Sequence, residues 1–164
     1  MIKARKIFRE EKQVMGTEEE WMRLAIAEAK LSLKHDDIPI GALVVFNGEI
    51  ISSRHNEREL LGDPTAHAEV LAIRDAAKTL GTSRLDGATL VTTLEPCPMC
   101  AGACLVARIN RVVFGAEDPK AGSLGSLYQL GGDPRLNHEF AVTPRVLQQE
   151  CADLLTGFFA GKRD

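Results

Sequence analysis

This sequence predicts an α/β domain built on one mixed sheet, and three observations carry that prediction. Residues 38–53, IPIGALVVFNGEIISS, place two apolar runs on either side of Asn47-Gly48. That dipeptide favours positive φ at both corners of a tight turn, so the first two strands form an antiparallel hairpin. Residues 88–116 then read ATLVTTL, PMCAGACLVA and RVVFGA, a strand, a short helix and a second strand, and strands joined through a helix run parallel. Helical stretches lie before the hairpin, between it and the crossover, and at the end of the chain, which gives the sheet helices to pack against.

The elements follow in order. Residues 1–16 mix Lys3, Arg5, Lys6, Arg9 and Lys12 with Glu10 and Glu11, and a second methionine, Met15, precedes the first helix signal. This reads as a charged, flexible extension or an upstream start, with the domain proper spanning 17–164. Thr17 and Glu20 form a capping-box pair, and Trp21, Leu24, Ala25 and Leu31 share one face of a helix expected to reach about Lys34. After the hairpin, RHNERELLGDP has the composition of a loop, and a helix follows from about Ala66 to Leu80 with Val70, Ile73 and Ala77 toward the core. Beyond the crossover, Glu117 to Pro134 is rich in Gly and Asp and reads as a long functional loop. A strand near Phe140 and a helix from Pro144 to about Ala160 finish the chain.

Composition narrows the function. The 164 residues, 45% hydrophobic and 26% charged, suit one globular domain with a sizeable core. No apolar run is long enough to span a bilayer and the start lacks the apolar region of a secretory signal, so a cytoplasmic protein without membrane contact is expected. In that reducing compartment Cys97, Cys100, Cys104 and Cys151 stay free of disulfides, and metal or redox chemistry is the better reading of the close pair. A net charge of −3 excludes a protein that grips nucleic acid with its whole surface and restricts any such contact to a local patch.

The pair Cys97 and Cys100 needs partners, because zinc takes four ligands. Of four histidines, His35, His55 and His138 fall at a helix end or in loops and are expected on the surface, whereas His67 stands at the start of a helix. Three protein ligands leave a fourth position for water, the arrangement of a catalytic zinc site. Both ligand groups would sit at helix N-termini, where free amides and the helix dipole favour thiolate. Glu69, two positions beyond His67, is awkward as a further ligand but suits a general acid/base acting on a water at the metal.

Three plainer readings stand beside this one. A structural zinc site would recruit Cys104 or Cys151 and leave Glu69 without a task. A Cys-x-x-Cys redox pair would not need His67, and it usually opens the first helix after an N-terminal strand. Glu69 on its own would serve as a first-turn complement to the helix dipole.

His67-Ala68-Glu69 followed by Pro96-Cys97-Pro98-Met99-Cys100 resembles the signature of the zinc-dependent cytidine and deoxycytidylate deaminase superfamily. DPTAHAE, TLEPCPMCAGA, RVVFGA and DPKAGSLGS resemble in particular its branch acting on adenosine in bacterial tRNA, over about Thr17 to Phe159. The resemblance implies a three-layer α/β/α fold with a mixed five-stranded sheet, one Zn²⁺ on His67, Cys97 and Cys100, and Glu69 as proton shuttle. It also implies attack of a zinc-activated hydroxide on C6 of the wobble adenine in a tRNA anticodon loop, leaving inosine and ammonia. Asn56 is then the base-contacting asparagine, the backbone around Ala66 and Pro96 lines the pocket, and Asp118 and Lys120 lie near the substrate strand. Phe158 and Phe159 match an aromatic pair in the last helix, for which core packing is the expected role.

Spacing alone leaves the base open. A deaminase of a free nucleobase or nucleoside, guanine or cytosine type, is the alternative, and a module holding structural zinc is the reading from another class. The helix PMCAGACLVA offers almost no polar face, so it must be buried on every side, and a homodimer is expected to cover it. Arg108, Arg111 and Lys120 are expected to hold the phosphates of the anticodon stem-loop.

Overall fold

The computed structural model describes residues 16–163; the charged leader expected at residues 1–16 lies outside them apart from Gly16. Five strands form one sheet in the order β2-β1-β3-β4-β5: β1 Gly41–Phe46, β2 Glu49–His55, β3 Thr89–Leu94, β4 Arg111–Ala116 and β5 Ala141–Thr143. β1 pairs antiparallel with β2 and β3, while β3, β4 and β5 run parallel. The mixed sheet expected from the sequence is therefore present, hairpin at one edge and parallel strands at the other. Asn47 and Gly48 turn the hairpin with φ of 50° and 75°, both in the left-handed region that this dipeptide tolerates.

Helices cover both faces, which gives three layers. The helices are α1 Glu18–Ala29, α2 Arg58–Leu61, α3 Ala68–Leu80, α4 Pro98–Val106 and α5 Gln148–Ala160. Strand alternation assigns the sides: Ala42, Val44, Leu90, Val112 and Phe114 face α3 and α4, and Leu43, Val45, Val91 and Val113 face α1 and α5. Gly41 marks how closely the layers meet, since a β-carbon there would lie 2.1 Å from the carbonyl oxygen of Ala25 in α1.

Helix starts follow the local signals, and helix faces do not always. The capping box is complete, with Thr17 N donating to Glu20 Oε2 at 2.8 Å and Glu20 N to Thr17 Oγ1 at 3.2 Å. The expected run to Lys34 is split, because the chain tightens into a 3₁₀ turn over Lys30–His35 that ends at left-handed Asp36. Leu24 is 51% exposed, and Met22, Ala25 and Ala29 form the buried stripe instead. In α3 the small residues Ala68, Ala72 and Ala76 make the close i, i+4 line onto the sheet, while Val70 and Ala77 sit at its margin.

Two segments differ from expectation for tertiary reasons. Residues expected as loop after β2 contain the one-turn helix α2. Its amides at Glu59 and Leu60 are capped by the distant Asp37 carboxylate at 2.8 and 3.1 Å, a signal absent from the local sequence. The last helix begins at Gln148 rather than Pro144 because Arg145 and Leu147 take left-handed φ of 63° and 50°, a turn that breaks the helical path and packs Val146 and Leu147 against the α1 side of the sheet.

Candidate active site

The carboxyl ends of β3 and β4 gather the candidate residues, as parallel α/β sheets commonly do. β3 ends at Leu94; Glu95 and Pro96 turn the chain and Cys97 becomes the N-cap of α4, with Pro98 in the first helical position where its fixed φ suits a helix start. His67 is the N-cap of α3. Neither side chain caps its own helix; both turn toward each other instead. His67 Nδ1 lies 3.7 Å from Cys97 Sγ and 3.5 Å from Cys100 Sγ. Among the described residues these three form the one group of His, Cys, Asp and Glu side chains whose ligand atoms gather within 4.8 Å.

The electrostatics fit a metal. Hydrogen bonds from the Cys100 thiol and the His67 ring outweigh burial and draw Cys97 down to about 4, a thiolate at neutral pH. The same contact with Cys97, then burial, pushes Cys100 far up. The Cys97 contact also raises His67. A cation would release the Cys100 proton and bind two thiolates and an imidazole, a donor set that suits zinc.

Glu69 is 3% exposed, in the first turn of α3, and its Oε2 is buried with no hydrogen-bond partner. Burial above all raises its carboxyl above the usual range. A buried carboxylate oxygen without a donor is costly and calls for a function. Cys104 and Cys151 are buried, at 0% and 1% exposure, among apolar residues, and all four thiols are free. Burial pushes Cys151 up to about 12, and Cys104 higher still.

The residues expected at the substrate fall into two groups. Ala66 and Pro96 are buried directly before the candidate ligands His67 and Cys97, and their carbonyls accept from Glu57 N at 3.1 Å and Ser123 N at 2.9 Å. Asn56 is buried at the end of β2; its Nδ2 donates to Ile38 O at 3.2 Å. Asp118 and Lys120 start the loop after β4, where Asp118 Oδ1 accepts from Lys120 N at 3.0 Å and Lys120 is exposed.

Several expectations are corrected here. Arg108 and Arg111 lie at the opposite end of β4 from the cysteines: Arg108 donates to Asn137 O at 2.8 Å, and Arg111 pairs with Glu18 and Thr143. Lys120 alone of the three cations is on the metal side. Phe158 and Phe159 do not pack in the core; Phe159 is 44% exposed, and both rings line a cleft of about 480 Å³ with Asn56, Arg58, His35 and Lys162. His35 and His55 are mostly covered, His35 joined to the neighbouring Asp37 at 2.6 Å and His55 to Glu28 of α1 at 2.7 Å. His138 contacts the carbonyl of Ile109 at 2.7 Å. Helix α4 is buried along one side, at its own Cys100, Ala101 and Cys104, while Val106 is 80% exposed. Sequence reasoning missed Glu95, whose signal was a carboxylate at the end of an otherwise uncharged strand.

The chain belongs to the cytidine and deoxycytidylate deaminases, zinc-dependent hydrolytic enzymes, whose zinc-binding region matches residues 15–116. Within that class it is similar to proteins named tRNA-specific adenosine deaminase. It is 51% identical to the one from Bacillus subtilis over 145 residues, covering 88% of this chain and 90% of that protein. It is 42% identical to the one from Aquifex aeolicus, covering 89% and 96%. A solved structure from work on A-to-I editing by tRNA:A34 deaminases at the wobble position superposes with a TM-score of 0.79 at 42% identity, covering 82% of this chain and 97% of that one. A guanine deaminase from Nitrosomonas europaea superposes with a TM-score of 0.74 at 26% identity, covering 90% and 87%. Among the described residues no helix is long and apolar enough to cross a membrane.

Proposed function

We propose that this protein hydrolyses adenosine to inosine at the wobble position of a tRNA anticodon loop. The 51% identity to a tRNA-specific adenosine deaminase over nearly the whole chain carries the substrate, and the His67, Cys97, Cys100 and Glu69 cluster carries the chemistry. His67, Cys97 and Cys100 would hold the zinc. Zinc in this setting supplies Lewis acidity that makes water a nucleophile near neutral pH. Glu69 takes a proton from that water and returns it to the departing amino group at C6, so adenosine and water become inosine and ammonia. Its raised affinity for a proton suits a group that must both accept and donate.

Asn56, the backbone at Ala66 and Pro96, and the Asp118–Lys120 segment form the substrate side of the site in this reading. An anticodon loop presents its bases unpaired, which keeps the cost of extruding one low. The exposed, uncharged end of α4 supports a homodimer that covers Val106, and a tRNA substrate fits a cytoplasmic enzyme. Incubation with an anticodon stem-loop carrying a wobble adenosine should yield inosine, with affinity falling as salt rises. Efficient turnover of free guanine or a nucleoside, with no inosine from the stem-loop, would transfer the assignment to a small-molecule deaminase.

A further inference from the structure

A second buried carboxylate stands beside the metal ligands and is used differently. Glu95, 1% exposed, lies between the end of β3 and Pro96-Cys97. Its Oε1 accepts from Asp118 N at 3.2 Å and Ser126 Oγ at 2.5 Å, and its Oε2 accepts from Leu124 N at 3.0 Å and Ser126 N at 3.1 Å. All four donors belong to the segment that follows β4. Gly122 makes room for the carboxylate, since a β-carbon there would lie 2.3 Å from Glu95 Oε2. Ser123 N closes the contact by donating to Pro96 O at 2.9 Å.

We propose that Glu95 is a positioning residue, whose carboxylate clamps residues 118–126 onto the turn that presents Cys97 and so fixes the substrate-side loop relative to the metal ligands. The alternative for this segment is a long Gly- and Ser-rich stretch with few apolar anchors of its own, Leu124 being its one buried large side chain. Four hydrogen bonds to one charged group define a conformation that such a sequence would not hold alone. The clamp orders Asp118 directly and Lys120 through the Asp118 turn. Its effect on catalysis rests on the anticodon-loop reading above; its effect on the loop does not.

The test uses the full, zinc-loaded chain and two variants that attack the clamp from opposite sides, Glu95→Gln and Gly122→Ala. Each should retain one zinc per chain and show faster amide hydrogen exchange at Leu124 and Ser126. With an anticodon stem-loop, KM should rise about 10-fold while kcat changes little, as expected when an interaction made equally in ground and transition states is lost. The double variant should be little worse than either single one, because both break the same contact. Unchanged exchange and unchanged KM would overturn the proposal. So would loss of zinc, or a fall in kcat at constant KM, in both variants, since either result makes Glu95 a support of the cysteine turn alone. If the wild-type protein makes no inosine from the stem-loop, the substrate reading fails and the exchange rates still decide the clamp.

Discussion

Glu69 and Glu95 are both sealed from solvent within a few residues of the candidate metal ligands, yet their surroundings are opposite. Glu95 is surrounded by donors, and Ser126, Leu124 and Asp118 outweigh the effect of burial to hold its carboxyl below the usual range. Glu69 has a buried oxygen with no donor, and burial lifts its carboxyl. A fully satisfied carboxylate is an anchor, because any change in its protonation disrupts its partners. An unsatisfied one is a reagent, because it exchanges a proton at little cost to the fold. Two identical side chains at one site are thus divided between structure and chemistry by the backbone amides aimed at them.

That contrast makes graded forecasts. The largest effect is expected for Glu69→Gln, which should lose roughly 10²–10⁴-fold in turnover while keeping zinc and thermal stability, since only the proton carrier is removed. Turnover near that of the wild type would reduce Glu69 to a second structural carboxylate. Next comes metal content: Cys97→Ala should bind zinc poorly, whereas Cys104→Ala should hold near one equivalent and lose about 1 kcal/mol of stability to a small cavity. Stoichiometric zinc loss in the Cys104 variant would instead define a closed, four-ligand structural site. Glu95→Gln should lower unfolding free energy by about 1–3 kcal/mol in denaturant titration, where Glu69→Gln should not. Equal stability losses in the two variants would erase the distinction drawn here.

The smallest effect tests a carboxylate outside the site. Burial raises the Asp37 carboxyl, but amides of Glu59 and Leu60 and the His35 ring outweigh it and leave it below the usual aspartate range. A lowered native value means that the stability it contributes is complete above the unfolded-state value near pH 4 and disappears as pH falls through the native one. Asp37→Asn should therefore be less stable than the wild type by about 1–2 kcal/mol at pH 7, with the gap closing below about pH 4. A gap that widens in acid would show that the α2 cap works through something other than charge.

What the sequence disclosed and what it withheld divide along physical lines. The hairpin, the capping box, the crossover and the His67, Cys97 and Cys100 triad depend on residues a few positions apart or on a ligand chemistry with few solutions, and each was legible. The faces of α1 and α3 were not fully so, because alanines make much of the contact with the sheet beside Met22, Leu71 and Ile73, and an alanine does not announce its own burial. The α2 turn depends on Asp37, the coverage of His55 on Glu28 from α1, and the clamp at Glu95 on donors 23 to 31 positions away. Such contacts are made by the fold and leave no local period. The remote placement of Arg108 and Arg111 follows from strand direction, since α4 carries the chain back to the far end of the sheet before β4 begins.

The hairpin turn also sets how this protein ages. Asn47 is exposed and followed by glycine, the neighbour that least obstructs attack of the next backbone nitrogen on an asparagine amide. Cyclisation with loss of ammonia, followed by hydrolysis of the ring, would leave aspartate or a β-linked isoaspartate, adding a negative charge and, in the second case, a methylene to the main chain. The lesion would sit about 20 Å along the strands from His55 and Asn56, at the usual rise per residue. Stored protein should thus accumulate acidic isoforms that remain competent at the metal end, a chemical clock placed where damage to function is least.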